Sequence, residues 1–417
     1  MLTVRVGADA AMVLASRVGG AAANLAAVLI LSRHLPQVAV GQVLTALACA
    51  LVADLLASLG REGVAIRVLP QAAPPVASAY LRGTARLMAY AVPLAVLGAA
   101  LAAWALTGEA ALAILAGLIV PPAATLRVVS RMVHATGRIA ESAVLFNLAR
   151  PLLFAASLLL LSACGTLSPA AALGAALAAA IVAAGIQCLR ARGPLAARAA
   201  PPGDADPGWT RSGAALLLTS LLLGDLAALV TVVAATLLSA DDVAVLGVSL
   251  RIAALLTLGS GALIAALGPR LSRAWGRGER ASALGLARAI PRVSVPLVGA
   301  GVVTVWLAAP MLLSVFGPAY ADDGAALRLL VLMPLATAAA GPNLLVMVTA
   351  GHAQAAGGVA ARTLPLVALG TLAGSLLGPV GAAAGVVFGH AVWEVMLLRA
   401  LWRAEGASLW LPFGPRR

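Results

Sequence analysis

Five charged side chains stand inside long apolar runs of this chain: Arg17, Arg150 and Arg251, together with Asp54 and Asp225. A charge at the centre of a membrane-crossing helix costs roughly 2.5 to 3.5 kcal/mol even on the lenient insertion scale, so none of the five is expected to face lipid. A guanidinium keeps its charge and offers a planar fork of donors that fits phosphate oxygens. Arg17, Arg150 and Arg251 are therefore read as lining a water-filled cavity that attracts an anionic head group. Asp54 and Asp225 are read as ion-coupling or salt-bridge groups, with Arg17 and Asp54 as one pairing to expect. Asp9, Arg328 and Glu394 lie nearer the ends of apolar runs, where a charged tip can snorkel to the interface.

Other chemistry is excluded or unsupported. All 28 basic residues of the Lys+Arg count are arginine, which rules out a lysine Schiff base and a phosphate-loop lysine. Cys49, Cys164 and Cys188 are scattered singly, as are His34, His134, His352 and His390. That spacing suggests neither a metal site nor a disulfide framework. The acidic pairs Asp241-Asp242 and Asp322-Asp323 read as solvated loop ends. No catalytic residue, metal or cofactor is expected.

The elements that must hold these charges follow from composition. With 62% hydrophobic and 10% charged residues in 417, and a mean hydropathy of +1.03, the chain is too apolar for a water-exposed surface. A helix needs about 20 residues to cross the hydrocarbon. Twelve spans fit, at 8–31, 42–59, 87–106, 110–125, 142–163, 170–189, 212–238, 248–267, 293–316, 325–349, 363–377 and 380–401. The first run is longer than a signal-peptide core and contains Arg17, so it is expected to stay attached. Alternate connections carry nearly all the remaining arginines and the others only Arg33, which predicts cytoplasmic termini. Basic residues that follow sidedness give no support to nucleic-acid binding.

The polar stretch 191–211, rich in proline, divides the chain into lobes 1–190 and 212–402, followed by a tail at 403–417. Short echoes recur in order across the halves. Val38-Ala39-Val40-Gly41 is matched by Val243-Ala244-Val245 with Gly247, and Leu59-Gly60-Arg61 by Leu267-Gly268-Pro269-Arg270. Six spans per half is an even number, so the duplication predicts two parallel six-helix lobes around a central cavity. The fold class expected is an all-α polytopic membrane protein. Gly370, Gly374 and Gly378, then Gly381, Gly385 and Gly389, recur at every fourth position and predict close backbone packing. Pro121-Pro122, Pro310 and Gly341-Pro342 predict kinks. The segment 270–292, with six arginines and Trp275, is expected to lie as an amphipathic stretch on anionic lipid.

Several short motifs resemble a known family. Phe316-Gly317-Pro318-Ala319-Tyr320 followed by Ala326-Leu327-Arg328-Leu329-Leu330 is similar to the junction after the ninth helix of polysaccharide and oligosaccharide flippases. Gly378-Pro379-Val380-Gly381-Ala382-Ala383 resembles their turn into the last helix. Pro269-Arg270-Leu271-Ser272, and Ser32-Arg33-His34-Leu35-Pro36 with Gly41, fit as well. The resemblance extends over the whole chain and points to the multidrug/oligosaccharidyl-lipid/polysaccharide (MOP) superfamily. It implies alternating access by two lobes in a bacterial inner membrane. The cargo implied is an oligosaccharide on a polyprenyl diphosphate, flipped outward for O-antigen, capsule or exopolysaccharide. Its implied partners are membrane lipids, a polysaccharide polymerase and glycosyltransferases. A cation-coupled drug or metabolite antiporter of the same fold is the main alternative, and a non-transporting scaffold or a membrane glycosyltransferase are others.

Overall fold

The computed structural model describes residues 2–196 and 208–406, which are helical almost throughout with no strand among the described residues. The first part comprises α1 (Leu2–His34), α2 (Gln37–Ser58), α3 (Arg61–Val68), α4 (Pro74–Thr107), α5 (Ala110–Ala135) and α6 (Ile139–Ala143). A π-helical turn, Val144–Ala149, leads into α7 (Arg150–Ala163) and α8 (Pro169–Ala196). Next come α9 (Gly208–Leu223), α10 (Leu226–Ala234), α11 (Ala240–Gly276) and α12 (Arg280–Ser314). A 3-10 turn, Pro318–Asp323, precedes α13 (Gly324–Leu330), α14 (Leu332–Ala340), α15 (Asn343–Thr349), α16 (Ala353–Ser375) and α17 (Gly378–Glu405). Among the described residues, eleven segments are long and apolar enough to cross a membrane, and α9 with α10 makes a twelfth if that bent pair is one span.

Several expected boundaries change. The span expected at 110–125 continues to Ala135 as α5, with Pro121-Pro122 inside the helix, so Arg127, Arg131 and His134 are helical rather than loop residues. The span expected at 212–238 is two helices broken at Gly224-Asp225. The segment 270–292 is not a separate surface stretch, because α11 runs on through Pro269 and α12 begins at Arg280. At 37 residues, α11 is about 55 Å long against a hydrocarbon core of about 30 Å, so its end projects into water. The polar linker is narrower than 191–211, since α8 reaches Ala196 and α9 starts at Gly208. The rest of it, 197–207, lies outside the described residues. The tail begins as the last turns of α17, and 407–417 lies outside the described residues.

The outward faces suit lipid. On α4, Tyr90, Leu94, Leu97, Leu101 and Trp104 are exposed and recur at helical spacing on one stripe. Such a stripe is too large an apolar patch for a water-soluble monomer.

The packing divides the chain into two compact units, 1–244 and 245–417. In the first, α2 lies at the centre against α4, α5, α8 and α10. Its buried side chains are mostly small, among them Ala46, Ala50, Ala53 and Ala57, which lets four neighbours approach. Leu59 and Gly60 both adopt positive φ, 47° and 71°, and turn the chain from α2 into α3. Gly60 has a second constraint, because a Cβ there would run into the Gly213 carbonyl of α9. The Tyr80 hydroxyl donates to the Arg61 carbonyl at 2.5 Å, and its ring meets Trp209 edge-on at 5.3 Å. These contacts fasten α9 to α3 and α4.

In the second unit α17 is central, against α13, α14, α15 and α16. The glycine repeats form the seam with α16. A Cβ on Gly374 would strike the Gly381 carbonyl and one on Gly385 the Gly370 carbonyl, so the backbones touch and the packing expectation holds. At Gly341-Pro342 the chain breaks, with Gly341 at φ 76° against the Pro291 ring.

Substituting Gly385→Ala should therefore cost about 1–3 kcal/mol through overpacking, seen as a lower melting temperature of the detergent-purified protein. Gly358, also on α16, has open space around it. Gly358→Ala should leave the melting temperature unchanged or raise it slightly.

Candidate functional site

The centre of the first unit is a guanidinium held by two carboxylates. Arg127 of α5 donates Nε to Asp54 Oδ1 of α2 at 2.8 Å, and its Nη2 lies 2.6 Å from the same oxygen. The fork also grips Asp225, with Nη1 to Oδ2 at 3.1 Å and Nη2 to Oδ1 at 3.2 Å. Asp54 is 1% exposed and Arg127 8%, so both have left water, and only reciprocal pairing makes that tolerable. Two carboxylates against one guanidinium leave a residual negative charge. Arg150 lies within electrostatic reach of Asp54, Arg127 and Asp225, which balances the group. The expected partnership of Arg17 with Asp54 is replaced by Arg127 with Asp54, and the two aspartates, read as separate, share one partner.

Local breaks in helix geometry place these groups. The N–H groups of Gly224 and Asp225 both turn back to the Ser220 carbonyl, at 2.8 and 3.3 Å. α9 therefore closes early, and α10 leaves at 72°. Asp225 opens α10 through its carbonyl, which accepts from Ala228 and Leu229 at 3.0 and 3.1 Å. Its side chain is thereby free to reach Arg127. Arg150 follows the π-helical turn directly. Pro151 supplies no N–H, and its ring would clash with the carbonyl four residues back, so the preceding turn widens. α1 packs on this turn through Gly19 and Gly20, where a Cβ on Gly20 would strike the Asn147 carbonyl.

A basic pocket adjoins the node. It is lined by Arg17 of α1, Ser130, Arg131 and His134 of α5, Ser142, and Phe146 and Asn147 of the π-helical turn. Arg131 and Arg127 both stack near the Phe146 ring, at 5.8 and 5.9 Å. Arg17 is exposed at its edge, whereas Ser130 is buried and its hydroxyl has no partner. The carboxylate within electrostatic reach of Arg131 is the buried Glu62 of α3. Three basic side chains thus border the pocket against one acid. Arg131 and His134 went unread as site residues because they were assigned to a loop. The available signal was their spacing, Arg127, Arg131 and His134 at i, i+4 and i+7, which continues the α5 pattern.

The second unit holds Arg251, half-buried on α11, whose Nη1 donates to the Gly247 carbonyl of its own helix at 2.8 Å. Arg328 stacks on Trp306 at 5.1 Å and donates to its carbonyl at 3.1 Å. Glu394 is not a snorkelling residue. It is 6% exposed on α17 and accepts from the Thr337 hydroxyl of α14 at 3.0 Å.

Solved structures share this architecture. A MATE P26A mutant matches at 18% identity with a TM-score of 0.64, over 95% of this chain and 96% of its own. An inward-facing multidrug resistance MATE family transporter of the MOP superfamily matches at 18% and 0.62, over 95% and 98%. A MOP superfamily transporter from Pyrococcus furiosus, for which a reverse polarity of the binding pocket suggests a different function, matches at 17% and 0.62, over 95% of each chain. No family model and no curated protein matches. The chain has the fold of the MATE transporters of the MOP superfamily.

Removing the central guanidinium alone should be far more costly than removing it together with one of its carboxylates. Arg127→Met leaves two carboxylates against Arg150 alone and should destabilise by about 3–5 kcal/mol. The double substitution Arg127→Met, Asp54→Asn, which leaves Asp225 and Arg150 as equal and opposite charges, should recover most of that loss. Melting temperatures of the purified proteins check the order.

Proposed function

We propose that the chain is an alternating-access transporter for an amphiphile with an anionic head group. The cargo is a polyprenyl-diphosphate-linked oligosaccharide, moved from the cytoplasmic to the outer leaflet of a bacterial inner membrane for surface polysaccharide. Both termini are on the cytoplasmic side in this reading, and a polymerase and glycosyltransferases are the partners that would use or supply the cargo.

The observation that carries the proposal is the sign of the interior charge. In the first unit, Arg17, Arg131 and His134 border one pocket, while Asp54 and Asp225 are consumed by Arg127. A diphosphate needs donors and positive charge, which this pocket offers, and its sugar chain needs a polar path away from acyl chains. Asp54 and Asp225 are already paired with Arg127 and are not available to a cationic drug. The MATE fold supports transport over a scaffold or a glycosyltransferase, and the resemblance of the sequence motifs to oligosaccharide flippases supports the cargo.

The test is leaflet exchange of fluorescent polyprenyl-diphosphate oligosaccharide in vesicles containing the purified protein. Arg17→Ala and Arg131→Ala should each slow exchange about tenfold or more, the worth of a charge-assisted hydrogen bond. Unchanged exchange in both variants, or faster transport of a cationic dye than of the glycolipid, would reject the proposal.

A further inference from the structure

The second unit contains a polar cluster that transport of an anionic head group leaves unused. His390 and Glu394 lie one turn apart on α17, 5% and 6% exposed, and both meet Thr337 of α14. The Thr337 Oγ1 is 2.8 Å from His390 Nε2 and 3.0 Å from Glu394 Oε1, and the two ionisable groups are themselves 3.5 Å apart. We infer that Thr337, His390 and Glu394 form a proton-binding site that holds one exchangeable proton inside the second unit.

Charge bookkeeping within the cluster leads to this. With Glu394 ionised and His390 neutral, the imidazole Nε2–H donates to the Thr337 oxygen and the hydroxyl donates to the carboxylate. Every donor is used, yet a full negative charge is buried. Among the described residues no counter-charge offsets it. α13 carries Arg328, which is engaged with Trp306, and α14 and α15 carry no charged residue. α16 carries Arg362 and α12 carries Arg280 and Arg292, all exposed, Arg280 lying 3.6 Å from Glu405, and Arg288 of α12 is half-buried. On α17, Arg399 and Arg403 are exposed, and Glu405 is paired with His352 at 2.7 Å. An isolated charge at this depth is expensive, whereas one added proton makes the cluster neutral overall, on the carboxyl or shared with the ring.

The position gives the proton mechanical consequence. Thr337 is half-buried, so the cluster is not sealed on its side. The Thr337 carbonyl accepts the Gly341 N–H at 3.0 Å, which ends α14 at the Gly341-Pro342 break. Loading or releasing the proton therefore changes the bond that ties this hinge to α17. The site goes beyond the cargo reading, since it concerns what drives the cycle.

Infrared difference spectra of the full-length protein in lipid vesicles, recorded against pH without substrate, test it. The wild type should show a protonated-carboxyl band that fades as pH rises, and Glu394→Gln should lack it. Thr337→Val, which keeps both ionisable groups, should move the pH at which it fades by about one unit, the worth of one hydrogen bond. Glu62→Gln, in the other unit, should leave the band intact. A band unchanged in Glu394→Gln, or no pH-dependent band in the wild type, overturns the site. Loss of the band on adding sodium chloride at fixed pH, but not potassium chloride, also overturns it and assigns the cluster to a metal cation. The spectra need no cargo, so their failure is distinct from failure of the transport reading.

Discussion

The bond between Arg127 and its two aspartates governs the first unit. Asp54 comes from the centre of α2, Arg127 from α5 and Asp225 from the break between α9 and α10, so three separate pieces of chain meet at one guanidinium. In lipid the hydrophobic effect does not hold helices together, and directional polar contacts gain weight accordingly. A planar fork that binds one carboxylate through two nitrogens also fixes angle as well as distance. The broken helix is tolerable because the N–H groups of Gly224 and Asp225 bond back to the Ser220 carbonyl and the Asp225 carboxylate is held by Arg127.

The two units use buried charge differently. In the first, opposite charges meet and leave a basic excess beside them, which is an arrangement for attracting an anion. In the second, an acid and an imidazole share a threonine hydroxyl, with no balancing guanidinium among the described residues. A paired site has a settled protonation state, and an unbalanced one does not. In the proposed cycle, attraction of cargo and exchange of a proton would thus rest on separate sets of residues, on α1, α5 and the π-helical turn in one case and on α14 and α17 in the other.

Much of the fold was legible in the sequence because lipid imposes a single rule on every span. The apolar run lengths yielded the helices, and the fourfold glycine spacing yielded the α16–α17 seam. Arg150, Asp54 and Asp225 were identified as interior charges by their place within those runs. What the sequence hid was partnership. Arg127 looks like the first residue of a basic loop, because hydropathy falls there and arginines cluster. Only the depth of Asp54 and Asp225 explains why α5 can carry that charge inward. Glu394 was misread for a similar reason, since its partner Thr337 is neutral and lies on another helix. The break at Gly224-Asp225 was hidden because its flanks are as apolar as any unbroken span.

The glycine seam between α16 and α17 has a bearing on how the second unit can deform. Where helices meet through branched side chains, those can swap rotamers and let one axis slip past another. Here carbonyl oxygens nest against bare α-carbons on both sides, with no side chain between them to rearrange. Sliding would drive backbone into backbone, so the pair behaves as a stiff double plank. Flexing of this unit is then left to α14 and its broken end, which swing against a backing that does not yield.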